Sequence, residues 1–194
     1  MTDITIMSFN GKTPRIHPSA FIAPGCRIIG DVEIGADSSI WYNCVIRGDS
    51  NRIVIGARTN IQDGSVVHCD GPTPDRPEGY PTFIGDDVLI GHMAMIHGCT
   101  LDDRAFVGLG AVVMNGCRIG SDAMLAAGAL LSPGKQIPAG QMWIGRPAAF
   151  ARELSEAAMA GQREGVASYT RNGRAHKAAL AEYLGADRGP GGAA

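Results

Sequence analysis

Leu101-Asp102-Asp103-Arg104-Ala105-Phe106-Val107-Gly108-Leu109-Gly110-Ala111-Val112-Val113-Met114-Asn115-Gly116-Cys117-Arg118-Ile119 carries an aliphatic residue at every sixth position. The register runs on through Leu125, Leu131 and Ile137. Upstream, Ile16, Ile22, Ile28, Ile34, Ile40 and Ile46 form a second unbroken run. Only 37 of the 194 residues are Ile, Leu or Val, so two such runs are not coincidence. Between them Ile55, Ile61, Val67, Ile84, Ile90 and Ile96 continue the pattern, with register slips after Ile46, Val67 and Ile96.

Four residues after most anchors stands a small or β-branched residue, as at Ala20, Cys26, Val32, Ser38, Cys44, Thr59, Ser65, Ala94, Ala111, Cys117 and Ala123. Glycine often follows the anchor directly, as in Ile34-Gly35 and Ile90-Gly91, where it is expected to supply left-handed backbone at a turn. One large inward side chain, one small one and a tight turn describe a hexapeptide β-helix repeat. The spacings of three and four that mark amphipathic helices are absent before residue 148. The repeat resembles that of the left-handed parallel β-helix, a triangular prism with three repeats per coil. The fold class expected is therefore mainly β, with about six coils over residues 1–147, stacked at roughly 4.8 Å. The Ala-, Glu- and Arg-rich stretch 148–184 reads as a C-terminal helical segment, with Leu154, Ala158, Tyr169, Leu180 and Tyr183 as packing candidates. Gly161, Gly165 and Gly173 weaken that helix. The last residues, 185–194, are expected to be disordered.

A formal charge of −2 with no long basic run argues against nucleic acid or an anionic membrane as partner. No apolar stretch approaches the ~18 residues of a membrane span, and no signal-peptide core opens the chain, so a cytoplasmic protein is expected. The five cysteines form no Cys-x-x-Cys pair and read as small, reduced core residues. Residues 69–83, rich in Pro and Gly, leave the prism directly after His68 as a long loop.

Stacking decides which histidines can meet. Arg47, His68 and His97 each directly follow anchors three repeats apart, so they fall in one outward column with His68 and His97 on adjacent rungs. Two imidazoles so placed can share a metal. His92 follows Ile90 by two and belongs to the preceding face, beside Gln62 and Asp63. It is not expected to reach the other two within one subunit. A threefold ring, in which different faces of neighbouring prisms meet, would bring it there. His17 and His176 read as structural and as part of a solvated helix, respectively.

Three segments, Trp41-Tyr42-Asn43-Cys44-Val45-Ile46-Arg47-Gly48-Asp49, Thr59-Asn60-Ile61-Gln62-Asp63-Gly64-Ser65-Val66-Val67-His68 and Ile90-Gly91-His92 through His97-Gly98-Cys99, resemble the gamma-class carbonic anhydrases and their shorter relatives. The resemblance implies a homotrimer whose metal ligands are His68 and His97 of one subunit and His92 of the next. It implies Zn2+, with Fe2+ or Co2+ as other ions that imidazole suits. It implies reversible hydration of CO2 to bicarbonate by a metal-bound hydroxide at the trimer interfaces. Gln62 would orient that hydroxide, Arg47 and Asp63 would pair across the interface, and Asp49, Asn60 and Tyr169 would support the site. Two features depart from the founding members: Ser50 replaces a glutamate, and Asp70, Asp75 and Glu78 sit at positions unlike those of the acidic shuttle loop. A metal-dependent acyl-CoA thioesterase, a metal-free hexapeptide acyltransferase and a weakly active or non-catalytic metal-binding trimer therefore stay open as alternatives.

Overall fold

The computed structural model describes residues 3–186. The chain winds as a parallel β-solenoid whose short strands stack in register on three faces. One face carries seven rungs, from Thr5–Met7 through the paired strands to Leu130–Leu131. The end strands Thr5–Met7 and Gln141–Ile144 extend the solenoid beyond the anchors counted from the sequence.

The anchors are the core. Ile28, Ile40, Ile46, Ile61, Val67, Ile90, Ile96, Val107, Val113, Ile119, Leu125 and Leu131 are fully buried and stack on one another. The small partners are buried too, and the polar ones are satisfied. Ser38, Thr59 and Ser65 donate their hydroxyls to the backbone carbonyls of Gly56, Gly85 and Gly91 at 2.6, 2.7 and 3.0 Å. All five cysteines are free and buried. Cys69 turns inward, away from the histidines, and burial pushes its thiol up to about 11.

Glycine acts differently from the expectation. The residue that turns most corners with positive φ is the third after the anchor, and it is often not glycine: Asp37 at 58°, Asn43 at 61° and Met93 at 58°. The glycine directly after the anchor has ordinary φ but no room. A Cβ on Gly35 would stand 2.6 Å from the Gly56 backbone, and one on Gly91 would stand 2.5 Å from the Leu109 nitrogen. Close approach of stacked coils requires glycine there.

The three outer surfaces differ in chemistry. On the first, the column Phe21, Ser39, Asn60 and Leu89 is buried beneath the C-terminal helix α1, Glu156–Ala186. The second presents Val45, Val66, Met95, Val112 and Leu130 outward in one paired column, partly open to solvent. The third presents charged residues such as Arg15, Glu33 and Arg118, tied in ion pairs.

Helix α1 starts later than expected. Residues 149–153 form a strand, antiparallel to Gln141–Ile144, and close the end of the solenoid. Ser155 then caps the helix, its hydroxyl accepting the Ala158 N–H at 3.2 Å. Leu154 packs as anticipated, whereas Tyr183 is exposed, and Val166 and Gly173 fill the contact instead. Residues 187–194 of the stretch expected to be disordered lie outside the described residues, while Gly185 and Ala186 end α1.

Gly173 is a packing notch: a Cβ there would meet Ser39 Cβ at 3.0 Å. Gly173→Val is expected to lift α1 from the sheet, lowering stability by about 1–3 kcal/mol and changing the fluorescence of Trp41. The change is readable because Trp41 stacks edge-on with Tyr169 and His176 of this helix at 5.5 and 4.9 Å. His176 thus joins an aromatic cluster, with Nδ1 at 3.1 Å from the Tyr42 hydroxyl, and is more than part of a solvated helix.

Candidate metal site

The register places His68 directly opposite His97 on adjacent strands. Their rings lie 5.0 Å apart, and His68 Nδ1 faces His97 Nε2 at 3.0 Å. Each outer ring nitrogen has its own acceptor. Asp49 Oδ1 accepts from His68 Nε2–H at 2.9 Å, and Asn115 Oδ1 accepts from His97 Nδ1–H at 2.5 Å. The Asn115 amide is not free to flip, because its Nδ2 donates to Asp70 Oδ2 at 2.5 Å. Burial pushes the Asp49 carboxyl up, but the His68 N–H and the Arg47 guanidinium outweigh it and hold the group below its ordinary value.

In neutral rings these bonds place the protons on the outer nitrogens. With protons on the outer nitrogens, the two facing nitrogens both carry lone pairs. Neutral imidazoles so arranged repel unless a cation stands between them. Their separation is close to the roughly 3.3 Å between neighbouring donors around a tetrahedral ion at ~2.0–2.1 Å. Two imidazoles oriented by a carboxylate and an amide suit a divalent metal of the zinc type. Among the described residues, His68, His97 and Asp70 form a set of three whose ligand atoms all lie within 4.8 Å.

His92 stands apart from them, at the opposite edge of the apolar face. Its Nδ1–H donates to Asp63 Oδ2 at 2.8 Å, so its lone pair sits on Nε2, on a side chain left 47% exposed. Around it Met93 and Leu109 are also exposed. Gln62 is buried nearby in the chain, donating to Asn60 Oδ1 at 3.1 Å. Tyr169 comes over from α1 to pack on Trp41, and burial, helped by the Asp63 charge, raises its phenol. Arg47 pairs within the chain with Asp49 rather than with Asp63. The residues expected at the site thus fall in two groups within one chain: Arg47, Asp49, His68 and His97 in one, and Asn60, Gln62, Asp63, His92 and Tyr169, toward the helix-covered face, in the other.

Sequence reading misses two neighbours of the histidine pair. Asn115 follows His97 by 18 residues, one coil, and that spacing is a usable signal. Asp70 carries no such signal, because its position depends on the loop that leaves the solenoid after His68.

Short strands stacked on a six-residue repeat define a hexapeptide-repeat protein, and the model described as Bacterial transferase hexapeptide (six repeats) matches residues 13–48. Carbonic anhydrase of Geobacillus kaustophilus is 40% identical over 151 residues, covering 78% of this chain and 79% of its own length. Gamma carbonic anhydrase 1, mitochondrial, of Arabidopsis thaliana is 43% identical over 180 residues, 93% of this chain. This chain spans just under two thirds, 65%, of that relative's length. The crystal structure of a hexapeptide transferase family protein from Anaplasma phagocytophilum superposes with a TM-score of 0.82 at 40% identity, over 90% of this chain and 99% of its own. The chain belongs to the gamma carbonic anhydrase family.

Proposed function

We propose that the protein is a carbonic anhydrase that works as a homotrimer, hydrating CO2 reversibly to bicarbonate at three metal sites. Each site joins His68 and His97 of one subunit to His92 of the partner subunit. The observation that carries this reading is the approach of His68 Nδ1 and His97 Nε2 to 3.0 Å, with an acceptor behind each ring. Relatives named carbonic anhydrase support the choice of CO2 as substrate.

Surface chemistry supports the trimer. The apolar column Val45, Val66, Met95, Val112 and Leu130 lies between the two histidine edges, and α1 leaves it uncovered. Contact between such edges buries that column and brings His92 Nε2 toward the paired imidazoles. Exposed Met93 and Leu109 extend the patch beside His92.

Zn2+ is the ion proposed, with Fe2+ or Co2+ as alternatives. A bound zinc supplies Lewis acidity that brings the pKa of a coordinated water down to about 7. The chain's own residues do the rest. Asp49 and Asn115 hold the imidazole tautomers, which keeps both rings available as ligands. Gln62, anchored by Asn60, offers its remaining amide capacity to orient the attacking oxygen. Arg47 steadies the anionic product, and Asp63, already holding His92, is the proposed pairing partner for its guanidinium across the interface. Tyr169 walls the site from the helix side. The proposed compartment is the cytoplasm, where five free cysteines stay reduced. Separately, no helix among the described residues is long and apolar enough to cross a membrane.

The test is stopped-flow CO2 hydration by the purified protein, with its metal content measured in parallel. One metal per chain and a rate above background are expected, with Gln62→Ala lowering kcat by roughly 10–100-fold while leaving the metal in place. Equal background rates in wild type and variant would remove the hydratase reading and favour the thioesterase or a binding-only trimer.

A further inference from the structure

The loop that leaves the solenoid after His68 returns a carboxylate to the histidines. Asp70 N donates to Tyr80 O at 3.1 Å and Tyr80 N to Asp70 O at 2.8 Å, so residues 70–80 close as a hairpin-like arm. A second pair of bonds, Thr73 N to Arg76 O and Arg76 N to Thr73 O, both at 3.0 Å, stiffens its tip. Asn51 braces the base by donating Nδ2 to Asp70 O at 2.9 Å and to Glu78 O at 2.8 Å. Tyr80 packs against Gly98 and Gly116, where a side chain would collide with it.

This bracing fixes where Asp70 points. Its Oδ2 accepts from Asn115, the residue that also holds His97. Its other oxygen, Oδ1, lies 3.9 Å from His97 Nε2, on the side where His97 and His68 turn their lone pairs. The three donor atoms lie within 4.8 Å of one another. A half-exposed carboxylate that pivots on one hydrogen bond can swing from 3.9 Å of His97, and from within 4.8 Å of His68, toward the roughly 3.3 Å spacing of tetrahedral ligands.

The geometry points to Asp70 as a metal ligand supplied in cis: with His68 and His97 it forms a two-histidine, one-carboxylate site for a divalent first-row cation inside a single chain. The inference rests on the reading of His68 and His97 as ligands and adds to it. Assembly is then not required for a chain to hold its ion. His92 of the partner subunit completes a site already charged with metal, and Asp70 either stays as a further ligand or gives way. Two imidazoles and one carboxylate with open positions form a donor set that suits Fe2+ and Co2+ as well as Zn2+, so the arm also broadens the range of metals the chain can take up.

The experiment uses full-length protein stripped of metal and Co2+ as the probe, read by its d–d absorption under competition with a chelator. Four proteins are compared: wild type, His92→Ala, His92→Ala/Asp70→Asn and His68→Ala, each with a melting curve to show that it is folded. Asn at 70 keeps an acceptor for Asn115 but removes the charge. His92→Ala is expected to bind one Co2+ per chain about 100-fold more weakly than wild type, and the double variant about 100-fold more weakly again, each step being one ligand's share of a four-ligand site. Identical affinities for the single and double variants, or no binding by the single one, would overturn the cis site. Equal binding by wild type and His68→Ala would instead remove the histidine reading beneath it.

Discussion

His97→Ala is expected to abolish metal binding and, with it, CO2 hydration, while leaving the metal-free protein no less stable than wild type. The two halves of this expectation have one cause. In the metal-free chain the His68 and His97 lone pairs face each other at 3.0 Å, held there by Asp49 and Asn115. Removing one ring removes that repulsion, which offsets the packing lost with a partly exposed side chain. In the presence of zinc the order reverses. An ion that binds only the folded form stabilises it by about 4 kcal/mol at 1,000 times its dissociation constant. Wild type should therefore melt several degrees higher on adding zinc, and His97→Ala should not shift. Calorimetry with and without Zn2+ reads both effects. A zinc-dependent shift that survives in His97→Ala would show that the ion binds elsewhere. An additional loss of stability in the metal-free variant would show that the facing nitrogens share a proton and attract each other.

How much of this is legible in the sequence depends on which residues obey the six-residue repeat. The solenoid, its core and the pairing of His68 with His97 follow from counting anchors, because a parallel stack turns sequence spacing directly into position. The separation of His92 follows in the same way, since it sits on a different face. What lies off the repeat is less readable. The strand at 149–153 breaks the expected helix because its outward residues pair with Gln141–Ile144, a partner that periodicity does not reveal. Asp70 depends on a hairpin closed by backbone bonds to Tyr80 and by Asn51, none of which has a fixed spacing. Resemblance pairs Arg47 with Asp63, yet inside one chain it finds Asp49, two residues away on the same strand. Gly173 is a weak point of α1 when read by propensity alone; against Ser39 it is the position that lets the helix seat.

Gly91→Ala should be among the more damaging single methyls added to this chain, and it separates two roles of glycine that the sequence merges. Gly91 has no positive φ, so alanine meets no conformational penalty there. The obstacle is the next coil: the new Cβ would stand 2.5 Å from the Leu109 nitrogen, 2.8 Å from its Cα and 3.0 Å from the Gly108 carbonyl carbon. All three are backbone atoms that no rotamer change can move. The adjacent coils are held at that distance by Gly91 N donating to Val107 O at 2.8 Å, and Gly91 O accepts the buried Ser65 hydroxyl at 3.0 Å. Relief therefore means prising two rungs apart and weakening both bonds, at a cost of about 3 kcal/mol, the upper range of overpacking. Gly110 is the natural control. It has φ of +64°, but a Cβ added there would meet nothing within 4 Å, so Gly110→Ala should cost only the left-handed penalty of about 1–2 kcal/mol. Urea unfolding of the two variants should rank Gly91→Ala below Gly110→Ala. Only Gly91→Ala should also weaken metal binding, because the displaced rung carries His92 and its bond to Asp63. The opposite ranking would mean that stacked coils yield more easily than the corner backbone, and that the spacing of the rungs does not set the position of His92.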